Sequence, residues 1–309
     1  MGYLFLGLAL VCGATKGYCG KKTSGFIRTP SDSITISLIR MTMCIFIGLA
    51  MVFFDSAATF AISTEGILIS LLAGVTSSAF VISWILSVRT GSYMMIDVFL
   101  TAGVMIPIVF TTLLFPDAEK VALHQIIGFA ILLVAVFIMC SYNNSIKKKT
   151  SIGALLLIIL CAVSNGCTDL LSKIYVHNKY GSASVFNFYT YVGAAVTLAL
   201  VSLGILIYQK CKKHTKSEED GNSELPKEKF KLGKLLPYII VMALCLFFNT
   251  YFKTLAAETL DAAIIYPISQ VGTMMLASII AHFIFKERLN LKGIIGIITA
   301  LAALLIINL

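Results

Sequence analysis

Runs of about twenty mostly apolar residues, separated in most cases by short polar connections, dominate this chain and leave its backbone few ways to be satisfied. Ten such runs occur, at roughly 2–19, 31–54, 64–87, 92–115, 122–142, 151–173, 183–208, 234–257, 261–284 and 289–309. A hydrocarbon core about 30 Å thick is spanned by about 20 helical residues rising 1.5 Å each. Inside lipid every amide must find its partner within the chain, so each run is predicted to be helical despite its Val, Ile and Phe content. With 58% hydrophobic and 13% charged residues and a mean hydropathy of +0.93, the chain is far more apolar than a soluble domain. The expected fold class is therefore all-α and integral to the membrane, with the lipid bilayer as solvent.

In a soluble protein the net charge of +9 would suggest nucleic acid. Here the basic residues lie between the apolar runs and read as topology signals, so no nucleic-acid partner is expected. The eight cysteines lack the paired spacing of a metal or redox site and read as small packing residues. The apolar stretch Tyr3–Ala14 that opens the first run has no basic residue before it, whereas Lys16, Lys21 and Lys22 follow it. It reads as a first, short membrane helix rather than a secretory leader.

The second half of the chain echoes the first. Gly2–Lys22 aligns with Gly153–Lys173, and Glu119–Leu133 aligns with Glu287–Leu301. Gly103 falls on Gly272 between these anchors. The expectation is two five-helix repeats, 1–149 and 150–309, with a polar loop of mixed charge at 210–234. An odd number of helices per repeat inserts the second copy upside down, and inverted repeats recur in secondary transporters with a solute site between the halves near the midplane. Lys and Arg give the orientation: 18 lie on the connections after the odd-numbered helices and 2 on the opposite face. That asymmetry predicts both termini outside and the 210–234 loop in the cytoplasm.

Each repeat closes with an acid, a base and a glycine nine residues after the acid: Glu119, Lys120 and Gly128, then Glu287, Arg288 and Gly296. These residues, with Gly17 and Lys22 of the opening helix, resemble the EamA-type domains of the drug/metabolite transporter superfamily over nearly the whole chain. The resemblance implies a ten-helix carrier of metabolites such as amino acids, sugars or nucleotide derivatives, with a cavity built by the helices near the pseudo-twofold axis. Members of the family commonly have both termini in the cytoplasm, opposite to the charge count here. The membrane-embedded first-helix glutamate of the superfamily's four-helix multidrug members is missing, so proton-driven drug extrusion by that device is not expected.

Charges within membrane helices are costly and usually face a cavity or a partner. Lys16, Arg40, Asp97, Asp169, Lys173 and Lys253 are of this kind. Tyr93, Asp97 and Thr101 recur every four residues on one face of the fourth helix. In the aligned copy Asp97 falls on Tyr266 and Thr101 on Gln270, and Thr273 shares their face. The candidate solute-binding residues are thus Asp97, Tyr266, Gln270, Lys16, Tyr93, Thr101, Asn165 and Asn249. Against this, Asp97 could neutralise Lys16 or Arg40 in a fixed pair, and the neutral groups could serve as interhelical hydrogen bonds. Asp169 and Lys173, at i and i+4, are expected to satisfy each other. Trp84, the lone tryptophan, lies beside Arg89 and reads as an interfacial anchor.

No phosphate loop, metal cluster or nucleophile elbow is present, so no cofactor, metal or enzymatic activity is expected. The leading reading is a secondary transporter of a small polar or amphipathic solute, amino-acid-like, sugar or related. It would work by alternating access in the plasma membrane, with a coupling ion left open. The alternative is a membrane scaffold or regulatory subunit that works through its basic cytoplasmic loop.

Overall fold

The computed structural model describes residues 1–26, 30–55, 60, 62–90, 93–116, 122–146, 152–216, 232–286 and 291–307. Among these residues all regular structure is helical. The helices are α1 (Gly2–Ser24), α2 (Pro30–Phe54), α3 (Thr64–Thr90), α4 (Tyr93–Gly103), α5 (Met105–Leu114), α6 (Leu123–Ile146), α7 (Ile152–His177), α8 (Ala183–Lys216), α9 (Leu232–Ala257), α10 (Ala262–Phe283) and α11 (Leu291–Ile307). Six of them (α1, α2, α3, α7, α8 and α9) contain stretches long and apolar enough to cross a bilayer, and shorter apolar helical stretches lie at Phe99–Leu114, Leu123–Ala135, Ala262–Leu276 and Leu291–Ile307. Large apolar side chains such as Phe53, Phe137, Leu156 and Leu200 point outward, as lipid contact requires.

One predicted helix is broken. The run expected at 92–115 divides into α4 and α5 at Val104, whose amide bonds to the Thr101 carbonyl at 3.2 Å in a tighter turn. Pro107 supplies the cause, because its ring has no N–H and crowds the carbonyl four residues back, at Gly103. The break sits against α7, where Gly103 and Gly166 bring the two backbones together. A methyl group at Gly103 would meet the Ala162 backbone, and one at Gly166 would meet the Gly103 carbonyl.

Other helix pairs are set by the same small-residue logic. Helix α1 lies along α9: a Cβ on Gly2 would press on Leu260 just past the end of α9, one on Gly13 on Asn249, and one on Gly20 would approach Met242. Helices α3 and α7 are tied by the Thr76–Thr168 hydroxyl bond at 2.8 Å. Helices α3 and α8 meet where Gly74 and Gly193 face the opposing backbone. The family-type glycine Gly128 on α6 faces Ala303 and Ile307 of α11. The motif residues Glu119, Lys120, Glu287 and Arg288, and the 217–231 portion of the polar loop, lie outside the described residues.

Candidate functional site

Midway along the bundle, α1, α3, α4, α7, α9 and α10 enclose a cavity of about 40 Å³. At the 10–15 Å³ of such space that a water needs, it has room for about three. Its polar wall carries Lys16, Asn165, Asn249, Lys253, Gln270 and Thr273, with Ser269 beside them. Phe80, Trp84 and Leu100 form the apolar wall, and Gly13 and Gly17 of α1 leave the space open. Lys16 Nζ lies 5.6 Å from the centre of the Phe80 ring. Asn249 donates its amide to the Ala9 carbonyl at 2.7 Å, which fixes α9 against α1.

A second, smaller cavity of about 20 Å³ adjoins the first. Its lining includes the hydroxyl-bearing Ser77, Thr168, Ser172, Thr190, Thr250 and Thr254, with Asp169 and Asn187, and the rings of Phe186 and Tyr191. Lys253 borders both cavities. Its ammonium donates to Asp169 Oδ1 at 2.6 Å, with the two side chains 13% and 10% exposed. Tyr266 braces this pair. Its hydroxyl donates to the Asp169 carbonyl at 2.7 Å, and its ring centre lies 5.6 Å from Lys253 Nζ.

Of the eight sequence candidates, Lys16, Asn165, Asn249 and Gln270 come together on the central cavity. Tyr266 is packed behind it. Thr101 is fully buried, with its hydroxyl directed at Met274 Sδ at 3.8 Å. The side chains of Tyr93 and Asp97 lie outside what the structure describes, so the proposed neutralisation of Lys16 or Arg40 by Asp97 does too. Arg40 is 1% exposed within the bundle, and its Nε makes no hydrogen bond.

Two expectations are corrected. The carboxylate of Asp169 is held by Lys253 on α9 rather than by Lys173 one turn away. Lys173 instead donates to the Ala257 and Leu260 carbonyls at 3.2 and 2.8 Å, where it caps the C-terminal end of α9. The bundle brings α9 carbonyls within reach of Lys173 and brings Lys253 to Asp169, and helical spacing alone cannot foresee such cross-helix contacts. Trp84 is no interfacial anchor either. It is 4% exposed, and its ring tip lies over Gly20, where the missing side chain leaves a slot on α1.

Sequence reasoning missed Lys253 as a cavity residue, although Asn249 and Lys253 at i and i+4 on an otherwise apolar helix already marked a polar face. At one end of the bundle lie Asp55, Glu65, Tyr180 and Glu258. Tyr180 donates to Glu65 Oε2 at 2.9 Å, and this bond holds the phenol above its ordinary pKa. Partial burial, with Asp55 as a lesser cause, pushes the Glu258 carboxyl up.

A bundle of apolar helices around a polar cavity at mid-depth defines a multi-pass integral membrane protein. Residues 152–309, just over half of the chain, match the EamA-like transporter family, and the chain belongs to that family within the drug/metabolite transporter superfamily. No curated protein sequence matches it. A solved crystal structure of a protein aligns over 99% of this chain and 95% of its own with a TM-score of 0.66 at 10% identity, which shows a shared fold along the whole length.

Proposed function

We propose that this protein is a secondary transporter that moves a small polar or amphipathic metabolite, amino-acid-like, sugar or related, by alternating access across the plasma membrane. The observation that carries this reading is the central cavity. Polar groups from α1, α7, α9 and α10 converge there with an aromatic wall, between helices whose outward faces are apolar. Such a concave site, mostly formed and with a few oriented polar groups, is what a solute pathway requires.

The same reading holds that the chain crosses the membrane ten times as two inverted repeats, 1–149 and 150–309, with α4 and α5 making one crossing. Helix pairing supports it. The α1–α9 and α3–α7 contacts exchange under the repeat, α6–α11 and α2–α8 map onto themselves, and each pair is among the most extensive in the bundle. In each half, moreover, a lysine near the end of the first helix donates to a carbonyl at the end of the third, although the two lysines are one position out of register in the repeat: Lys21 to Val88 at 3.5 Å, and Lys173 to Ala257. Both termini are proposed to lie outside. No enzymatic step or cofactor is assigned.

Single cysteines at Asn165, Asn249 and Gln270, in a background freed of native cysteines, test the cavity with small polar thiol reagents applied from each side. Labelling at all three positions, reduced by a transported solute, is the expected result. Inertness from both sides would mean that the polar stripe is helix-packing glue, and the scaffold reading would take its place.

A further inference from the structure

We propose that the central cavity selects a small uncharged solute headed by a carboxamide, which pairs with Asn165 and Gln270 through side-by-side hydrogen bonds. The inference rests on the transport reading and names the solute class for that site. Asn165 on α7 and Gln270 on α10 both line the cavity, and neither carboxamide makes a hydrogen bond among the described residues. Asn249 directs its N–H to the Ala9 carbonyl at 2.7 Å, which leaves its oxygen as a further acceptor in the same wall.

The ammonium groups of the described lining are already engaged. Lys253 donates to Asp169 at 2.6 Å and lies beside the Tyr266 ring, and the contacts of Lys16 include the Phe80 ring, 5.6 Å away. An ionic solute would have to draw one of these groups away from what holds it, and separating a charge from its partner out of contact with water is strongly unfavourable. The open carboxamides impose no such cost. Each presents a donor and an acceptor side by side, and a confined polar group favours a ligand that satisfies both. A second carboxamide does this with matching geometry, its N–H to their C=O and its C=O to their N–H. The single oxygen of an alcohol cannot face both with good alignment. Space for about three waters restricts the solute to a small one, and its apolar tail would lie against Phe80, Trp84 and Leu100.

The lone tryptophan of the chain borders this cavity and reports its occupancy. Purified full-length protein is titrated with propionamide, propanol, propionate and propylamine, which share a short alkyl body and differ in headgroup, while a saturable change in Trp84 emission is followed. Propionamide is expected to bind about tenfold more tightly than propanol, as one additional hydrogen bond of ordinary strength provides. Propionate and propylamine should bind more weakly than either. Gln270→Met and Asn165→Leu keep the size of the side chain while removing its donor and acceptor, and each should erase most of the advantage of amide over alcohol. The series on the unaltered protein decides even where a variant does not fold. Equal binding of amide and alcohol, tighter binding of either ion, no saturable response to propionamide, or an undiminished amide preference in either folded variant would each overturn the proposal. Labelling of a cysteine at Thr273, in a background freed of native cysteines, separates the two failures. If that position is sealed from both sides, the transport reading falls. If it is open but the amide has no advantage, only the carboxamide assignment falls.

Discussion

Glycine-to-alanine exchanges should change stability in opposite directions at different points of this bundle. In a helix interior the exchange favours the folded state by about 0.8–1.0 kcal/mol, because alanine loses less backbone freedom. Gly7 and Gly204 have nothing within 4 Å of where a Cβ would stand, so Gly7→Ala and Gly204→Ala should gain most of that amount. At Gly103 the new methyl would stand 3.0 Å from the Ala162 carbonyl carbon and 3.3 Å from its Cα, with the carbonyl oxygen nearer still. At Gly166 it would stand 3.0 Å from Ile106 Cβ and would also overlap the Gly103 carbonyl. These neighbours are backbone or backbone-proximal atoms, which cannot rotate away. The helices must separate, and overpacking of this kind costs about 1–3 kcal/mol. The apparent melting temperature of purified full-length protein in a single detergent is therefore expected to rise for Gly7→Ala and Gly204→Ala and to fall for Gly103→Ala and Gly166→Ala. A common sign at all four positions would refute the close approach of α4 to α7.

The same assay tests the buried ion pair. Lys253→Met alone strands the Asp169 carboxylate and should cost about 3–5 kcal/mol, whereas Lys253→Met/Asp169→Leu should recover most of the loss. Glu258 gives a dependence on pH. Its folded pKa lies above the ordinary 4.5, so the unfolded chain releases this proton first and stability falls as pH rises from 4.5 through the folded value. Glu258→Gln should flatten the melting profile in that window; an unchanged slope would assign it to another group.

Much of this architecture was legible because the signals are local. Nine of the ten apolar runs correspond to single helices and the tenth to the α4–α5 pair, since hydropathy and the need to satisfy the backbone act on consecutive residues. The α4–α5 break was legible in principle from Pro107, but the run around it is apolar enough to hide it. The candidate site was read in part. Lys16, Asn165, Asn249 and Gln270 were found because polar groups in apolar helices are conspicuous. Tyr266 shares a helical face with Gln270 and Thr273 yet turns into packed surroundings, because a face is wider than the strip that borders the cavity, and on α4 it is Leu100 rather than its neighbour Thr101 that reaches the cavity.

The sequence by itself determined that the chain is a bundle of membrane helices and named most of the side chains that could meet inside it. Only the tertiary structure decided which of them do: that Asp169 is held from α9 rather than from its own helix, that Trp84 fills the slot at Gly20 instead of sitting at the interface, and that Lys253 borders two cavities. The physical reason is that hydropathy fixes each helix's place in the bilayer, while its rotation and its partners are set by close contacts at small residues, which depend on all the helices together.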